Sequence, residues 1–297
     1  MFKVKFWGVR GSIPCPGPNT ARYGGNTSCI QIKTDQDYQI IIDCGSGMRD
    51  LGASLMSDPG IKKPLKIFIF LTHTHWDHIM GLPFFTPIYV PGTDITIHGP
   101  VTFEDEPIDK IVGGQLTYRY FPVRQDELNS DLKFKALKEG SMELPGGIKV
   151  SYIYLNHPIM CLGYRFEYQG KVFSTCYDHE PFINLFEDDP ENREEGEIVA
   201  EESNKKVTEI YTNADLMVHD SQYTSIEYEK FKGWGHSTYK YAINQAISAG
   251  VKKLALFHHD PSRTDAQLDQ VKQTMQQAYA SKNIDIFPAY EGMEVDL

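Results

Sequence analysis

The chain has 297 residues, of which 41% are hydrophobic, and this length can bury a large core in one large domain or two small ones. Its 29 Lys and Arg against 40 Asp and Glu give a formal net charge of −11, which argues against a protein that binds mainly through nucleic-acid backbone contacts. A small anionic substrate stays compatible with this charge, because metal ions supply positive charge locally.

The five cysteines are scattered and form no CxxC pair, which fits neither a zinc finger nor a disulfide framework. Free cysteines indicate a reducing compartment. The N-terminal stretch MFKVKFWGVRGS is too short and interrupted for a signal peptide, and no apolar run approaches the ~18 residues of a membrane span. We therefore expect a soluble, cytoplasmic protein that makes no membrane contact.

The first two thirds of the chain predict short strands, and strand–helix alternation appears late. Strands are predicted at FKVKFW, SCIQIK, YQIIID, KIFIFL, residues 93–99, VSYIYLNH, LGYRFEY, KVFSTC, DLMVHD and KLALFHH. Helices are predicted at STYKYAINQAISAG, which stops at Gly250, and at TDAQLDQVKQTMQQAYASK. With no repeats and no clear linker, the simplest interpretation is one α/β domain over residues 1–297.

Residues 180–206 differ in composition, with ten acidic and three basic side chains. A charge run of this kind is typical of a solvated face. We interpret the segment as an acidic, partly helical surface insert.

The stretch HTHWDH follows the apolar strand KIFIFL and contains four potential metal ligands. Because side chains two apart can point to the same side of an extended chain, His73 and His75 are expected to share one metal. Asp77 and His78 lie at the following turn and can reach a second metal. Imidazole and carboxylate ligands favour Zn²⁺ first, and also Mn²⁺ or Fe²⁺.

This HxHxDH pattern after an apolar strand resembles the signature of the metallo-β-lactamase superfamily. The resemblance continues along almost the whole chain, with Asp43 in IIDCGSG, His157 in LNHP, Asp178 in STCYDHE and His258 in LFHHDP. It implies a four-layer αβ/βα sandwich with the metals at one edge between the sheets. Asp43 then corresponds to a buried structural aspartate.

The resemblance also implies how the ligands divide between two divalent metal ions. One ion would be held by His73, His75 and His157. The other would be held by Asp77, His78 and His258, with Asp178 between the two. His75 stands where redox di-iron members carry Glu, which favours hydrolysis. The neighbours His258 and His259 compete for one ligand position, and the resemblance aligns His258.

Three other histidines are poorer candidates. His179 lies one residue out of register with Asp178, which suggests a place behind the ligands or on the surface. His98 and His219 are interpreted as core or surface polar residues.

The C-terminal third, with MVHDSQYT and GWGHSTYKYAINQAISAGVKKLALFHHDPSR, resembles the phosphodiesterase and ribonuclease Z branch of the superfamily. In that branch a strand-end acid contacts a histidine in a later HST motif, and here these residues are Asp220 and His236. An imidazolium beside a phosphate can stabilise developing negative charge or protonate the leaving oxygen. The catalytic candidates are Asp77, Asp220 and His236.

The sequence indicates the substrate less directly than it indicates the metal ligands. The acidic segment would repel a long polyanion, so the sequence disfavours long nucleic acid and favours a small anionic phosphodiester. The loop VKFWGVRGSIPCPGPNTARYGGNTSC also resembles bacterial members described as cyclic-nucleotide phosphodiesterases, which implies 3′,5′-cyclic nucleotides such as cAMP or cGMP.

The alternatives are a ribonuclease Z-like endoribonuclease, a thioester or lactone hydrolase on the same metal centre, and a binding protein that has lost catalysis. Tyr118, Tyr120 and Phe121 are interpreted as base-stacking or packing residues, and Arg10, Arg22 and Asn26 as residues of a loop bordering the site. The oligomeric state stays open, although members with this architecture are often homodimers.

Overall fold

The computed structural model describes residues 1–102 and 106–297 and contains two seven-stranded sheets. The first has the order β14-β1-β2-β3-β4-β5-β6, from β1 (Phe2–Gly8), β2 (Cys29–Thr34), β3 (Gln39–Ile42), β4 (Lys66–Phe70), β5 (Asp94–Pro100), β6 (Asp131–Leu137) and β14 (Glu294–Asp296). The second has the order β13-β12-β11-β10-β9-β8-β7, from β7 (Gly140–Leu144), β8 (Ile148–Leu155), β9 (Cys161–Tyr168), β10 (Lys171–Cys176), β11 (Leu216–Asp220), β12 (Lys253–Phe257) and β13 (Asp285–Pro288).

Seven α-helices are present in the described residues: α1 (Met48–Ser57), α2 (Trp76–Ile79), α3 (Ile108–Gly113), α4 (Arg193–Tyr211), α5 (Ser225–Phe231), α6 (Tyr239–Ser248) and α7 (Asp265–Ala278). Short 3₁₀ segments cover Leu82–Phe84, Thr86–Tyr89 and Gln125–Glu127. Thr238 and Thr264 cap α6 and α7 by accepting hydrogen bonds from backbone N–H groups of the first turn. No helix in these ranges is both long and apolar enough to cross a membrane.

Alternation along the strands explains why the sheets are covered on both faces. In β3, Ile40 and Ile42 face the core between the two sheets, whereas Ile41 faces the helical side. In β4, Phe70 points inward while Ile69 packs on the outer side. Because successive side chains point to opposite faces, a strand that is apolar at every position must be buried on both.

Three hydrophobic clusters separate four layers of secondary structure. One lies between the sheets, a second places α1 on the first sheet, and a third places α4 and α6 on the second sheet. The predicted α/β class and four-layer αβ/βα sandwich are confirmed.

The acidic segment 180–206 is only partly the surface insert that the sequence suggests. Its second half belongs to α4, which continues to Tyr211 and buries Val207 and Ile210 against the second sheet. The acidic residues lie on the solvent side of this helix, because its other face is needed to cover the sheet. The charge run therefore marks the outside of a core-forming helix.

The carboxyl ends of the parallel strands meet at one edge of the sandwich. β3, β4 and β5 run parallel in the first sheet, and β10, β11 and β12 run parallel in the second. The two sheets are joined at this edge, where Thr72 O, just after β4, accepts a 2.8 Å hydrogen bond from Leu162 N of β9. Residues that follow these strands are thereby brought together.

The loop after β1 is held by a buried arginine. Arg10 is fully buried and donates from Nε to Gly24 O at 2.8 Å and from Nη1 to Arg263 O at 2.6 Å. The guanidinium thus links the N-terminal loop to the segment after β12, and its role is structural. Arg22 and Asn26 are also bound within the protein, to Asp269 and Glu291.

We expect Arg10→Met to lower the free energy of unfolding by ~2–4 kcal/mol, because buried carbonyl acceptors lose charged donors. Urea unfolding at equilibrium measures the change. Arg49→Met is the control, since Arg49 is exposed and, among the described residues, pairs only with its neighbour Asp50. It should shift the value by less than about 0.5 kcal/mol. Equal free energies of unfolding for Arg10→Met and Arg49→Met would contradict the structural role of Arg10.

Candidate dinuclear metal centre

Three histidines from two loops, one after β4 and one after β8, converge on one point. His73 Nε2 lies 3.0 Å from His75 Nδ1, and His157 Nε2 lies 3.1 Å from the same atom. Asp178 Oδ2 is 3.4 Å from His73 Nε2. Three imidazole nitrogens and one carboxylate at such spacing form a ligand group suited to a divalent cation.

A second group shares Asp178 with the first. His78 Nε2 is 3.2 Å from Asp77 Oδ2 and 3.3 Å from Asp178 Oδ2. His258 Nε2 is 3.2 Å from Asp77 Oδ2 and 3.2 Å from Asp178 Oδ1. The structure therefore brings together all seven residues that the sequence predicts as metal ligands, in the predicted division.

In three of these histidines, the ring nitrogen on the side away from the centre is held by a hydrogen bond. Nδ1–H of His78 donates to Asp43 Oδ2 at 2.7 Å, that of His258 to Gln222 Oε1 at 2.8 Å, and that of His157 to Gly235 O at 3.0 Å. These contacts direct Nε2 of each ring to the centre, so that Nε2 is the ligand atom of the neutral ring. Such outer hydrogen bonds select the tautomer that binds metal.

The donor set fits a pair of cations. Among the described residues, His78 Nε2 and Asp178 Oδ1 are buried and make no directed hydrogen bond, although both lie within the ligand groups. Buried polar atoms are normally satisfied, so unpaired atoms aimed at one point indicate a group that completes them. Imidazole and carboxylate donors are those used by Zn²⁺, Mn²⁺ and Fe²⁺.

The electrostatics match metal binding for His73, His157, Asp77 and Asp178. Burial lowers the pKa of His73 well below its ordinary value and that of His157 to about 4, so both rings are neutral at pH 7. Burial by itself raises the pKa of Asp77 and Asp178, but the surrounding histidines outweigh it and lower both, which keeps the carboxylates ionised. Metals bind neutral imidazoles and ionised carboxylates. Burial by itself lowers the pKa of His78, but neighbouring carboxylates, Asp178 foremost, outweigh it and raise the pKa well above its ordinary value, so this ring gives up a proton when a cation binds.

Local backbone strain accompanies the site. Asp178 and His258 have φ of +26° and +56°, a region that side chains rarely occupy. For His258 this conformation turns the ring into the second group while the next residue, His259, points away and lies 2.8 Å from Ala289 O through Nε2. Gly11 lies against the His258 ring, where an added Cβ would be 2.2 Å from Cε1, so only glycine fits.

An acid–base pair borders the second group. Asp220 Oδ2 is 2.8 Å from His236 Nδ1, so the aspartate reaches the ring despite the shorter side chain than Glu. Burial by itself lowers the pKa of His236, but the Asp220 carboxylate outweighs it and raises the pKa to about 9. The ring of His236 stacks on that of His258 at 4.9 Å. A protonated imidazole is thus placed beside the metal ligands.

Sequence reasoning missed Glu180, which organises the loop before His236. This buried carboxylate accepts hydrogen bonds from Gly233 N, from Gly235 N at 2.8 Å and from the hydroxyl of Tyr228 at 2.6 Å. Gly235 has φ +82°, and its carbonyl oxygen accepts the 3.0 Å hydrogen bond from Nδ1 of His157. The signal available in the sequence was the acid that ends STCYDHE, two residues after Asp178, together with the glycine-rich stretch GWG before His236.

The other predicted candidates stay outside the centre. His179 is buried behind it, where Nδ1 accepts from Asn156 N, and His98 stacks on Phe70 at 4.8 Å. His219 is buried beside Tyr241. Tyr118 and Tyr120 are exposed, and Phe121 packs on Phe84 at 5.4 Å.

Two groups of potential ligands that share a carboxylate, at the edge where two sheets meet, can bind divalent metal and are typical of a metal-dependent hydrolase. The sequence model of the metallo-beta-lactamase superfamily matches residues 22–222, and the chain belongs to this superfamily.

Relatives with named activities indicate which class of bond the enzyme hydrolyses. The ribonuclease Z of Lactococcus lactis subsp. lactis (strain IL1403) is 31% identical over 276 residues, covering 78% of this chain and 83% of that protein. The ribonuclease Z of Streptococcus pneumoniae (strain CGSP14) is 27% identical, covering 94% and 96%. The chain is a metal-dependent hydrolase of phosphodiester bonds.

Solved structures share the fold. Human tRNase Z, short form, superposes with a TM-score of 0.63 at 18% identity, covering 99% of this chain and 98% of that one. Unliganded yeast PDE1 gives 0.69 at 18% identity, covering 100% and 99%. At this identity the likeness concerns the fold alone.

The expectation that long nucleic acid is disfavoured as a substrate is wrong, because the relatives that match over most of the chain are named ribonuclease Z. Net charge averages over the whole surface, whereas substrate binding depends on the local field. Bound divalent cations are the largest local charges in such a site and can reverse its sign.

We expect about two divalent metal ions per chain in the wild-type protein and fewer than one in Asp178→Ala, because this carboxylate belongs to both ligand groups. Mass spectrometry of the metals after gentle purification measures the ratio. Asp188→Ala, an exposed change on the acidic segment, is the control and should retain the wild-type ratio. Full metal content in Asp178→Ala would contradict the shared ligand.

We expect Glu180→Gln to reduce kcat by ~10–100-fold, because an amide cannot accept all the bonds that hold the loop before His236. Steady-state hydrolysis of bis(p-nitrophenyl) phosphate and metal content should be measured together. Glu187→Gln, on the exposed part of the acidic segment, should behave as wild type. Unchanged kcat in Glu180→Gln would rule out the positioning role.

Proposed function

We propose that the protein is a ribonuclease Z-like endoribonuclease that cleaves a phosphodiester bond near the 3′ end of unprocessed transfer RNA. The observation that carries this proposal is the 2.8 Å Asp220–His236 pair beside the two ligand groups. The 31% identity to a ribonuclease Z over most of both chains supports it.

The proposed roles follow from which atoms are engaged. When bound, divalent cations at the two ligand groups supply an activated water and neutralise charge on the phosphate. Nδ1 of His236 is held by Asp220, so Nε2 is the ring atom available to a substrate oxygen. A protonated His236 can stabilise the phosphate oxygens or give its proton to the leaving oxygen. Asp220 acts through His236 by orienting the ring and holding its charge.

We propose Zn²⁺ as the first choice of metal. The two groups contain five imidazoles and two carboxylates, a donor set that suits zinc best. Mn²⁺ and Fe²⁺ share this ligand chemistry, so reconstitution of the metal-free protein with each ion separates them.

The sequence-based preference for cAMP or cGMP has no support among the named relatives. The fold likeness to yeast PDE1, at 18% identity, does not extend to substrate. Cyclic nucleotides therefore serve as the competing substrates in the test, and ribonuclease activity becomes the main proposal.

We expect zinc-reconstituted protein to cleave unprocessed transfer RNA faster than it hydrolyses cAMP, cGMP or bis(p-nitrophenyl) phosphate. His236→Ala should lose ~10²–10⁴-fold in kcat, because the proton donor and phosphate contact are removed. Labelled RNA resolved on a gel, and chromatography of the nucleotides, measure the rates.

Glu201→Gln, an exposed change on α4, is the control and should retain wild-type rates. Hydrolysis of cyclic nucleotides without RNA cleavage would contradict the ribonuclease proposal. A His236→Ala protein with nearly full activity would instead indicate thioester or lactone hydrolysis, which has no need of this imidazole.

A further inference from the structure

Trp234 is an exposed indole two residues before His236. The chain has three tryptophans, and the side chain of Trp7 is partly buried with Nε1 donating to Gln31. Trp234, in contrast, is 61% exposed on the loop that Glu180 holds. A single exposed apolar side chain is common, so a binding role depends on what supports the indole and on the charge beside it.

The indole is braced from behind by a row of rings. Phe231 contacts it edge-on at 5.3 Å, and Tyr223 stacks on Phe231 at 4.9 Å. Tyr223 in turn contacts the ring of His236 at 6.0 Å. The exposed indole is therefore the outer end of an aromatic row whose inner end is the proposed proton donor. Trp76 is also exposed, but no such row supports it within the described residues.

The charge beside Trp234 favours an anionic ligand. Lys230 and Lys232 are exposed on the same segment, and in the part of the chain that the structure describes neither lies within 4.0 Å of a carboxylate. Glu229 offsets one of these charges. An apolar face with neighbouring cations matches a nucleotide, which combines a flat base with a phosphate, better than it matches a purely apolar protein surface.

We propose that Trp234 is the stacking platform for the unpaired base of a nucleotide that flanks the scissile phosphodiester, a proposal that rests on the proposed ribonuclease function. Backbone of at most ~7 Å separates Trp234 from His236, so a base on the indole belongs to a nucleotide close to the cleaved bond. Single-stranded RNA is bound mainly by such stacking, which tolerates any base. The platform thus selects an unpaired nucleotide at the cut without selecting its sequence.

The test is a double-mutant cycle in which the Trp234 side chain and the RNA base are removed separately and together. RNA substrates carry either a normal nucleotide or an abasic ribose at each position flanking the cleavage site. Wild-type protein should lose about 10-fold in kcat/KM when the base at one flanking position is removed. Trp234→Ala should show a similar loss with the normal substrate and almost no further loss with the abasic one. Trp234→Phe should retain most of the wild-type preference.

Phe186→Ala is the control, since Phe186 is a half-exposed aromatic residue on the acidic segment. Phe186→Ala should lose as much kcat/KM as the wild type when the base is removed from the substrate. Equal effects of base removal in wild type and Trp234→Ala, at both flanking positions, would overturn the stacking proposal.

A binding measurement separates this proposal from the proposed function. The affinity for fluorescently labelled RNA, with and without the base, is measured by anisotropy in the His236→Ala background. If the wild type cleaves no RNA, yet Trp234→Ala removes a base-dependent affinity, the ribonuclease function fails, and base stacking on Trp234 is retained only as a binding property without a cleavage site. If neither cleavage nor base-dependent binding occurs, both proposals fail.

Discussion

The shared carboxylate of Asp178 is the contact on which the centre depends. It follows a strand of the second sheet, yet lies 3.3–3.4 Å from His78 and His73, which follow a strand of the first sheet, and 3.2 Å from His258. Burying so many polar groups without a partner would be costly, and the arrangement is stable only with positive charge at its middle. The two sheets therefore meet around a site built for cations.

The surrounding structure mainly holds these groups in place. Asp43 orients His78. Glu180 holds Gly235, whose carbonyl oxygen orients His157 and which directly precedes His236. One carboxylate behind the ligands thus acts on both a metal-binding histidine and the proposed proton donor. The positive φ of Asp178 and His258 shows that backbone strain is accepted where ligand direction requires it.

Much of this could be predicted from the sequence, because the relevant signals are local. Apolar strands such as KIFIFL, with both faces buried, indicate a covered sheet. The histidine and aspartate residues at the strand ends carry the family pattern, so the ligand set and the Asp220–His236 pair could be proposed. The charge of residues 180–206 was also visible, but its effect on substrate choice was not, since composition does not say which surface faces the site.

The sequence by itself determined the α/β class, the ligand types and the superfamily, because these depend on residue spacing along single strands and loops. Only the tertiary structure decided that Arg10 is a buried brace and that Glu180 and Trp234 flank His236. These facts depend on backbone angles and on contacts between segments far apart in the chain. No local pattern encodes them, because each is set by which strand ends the folded sheets bring together.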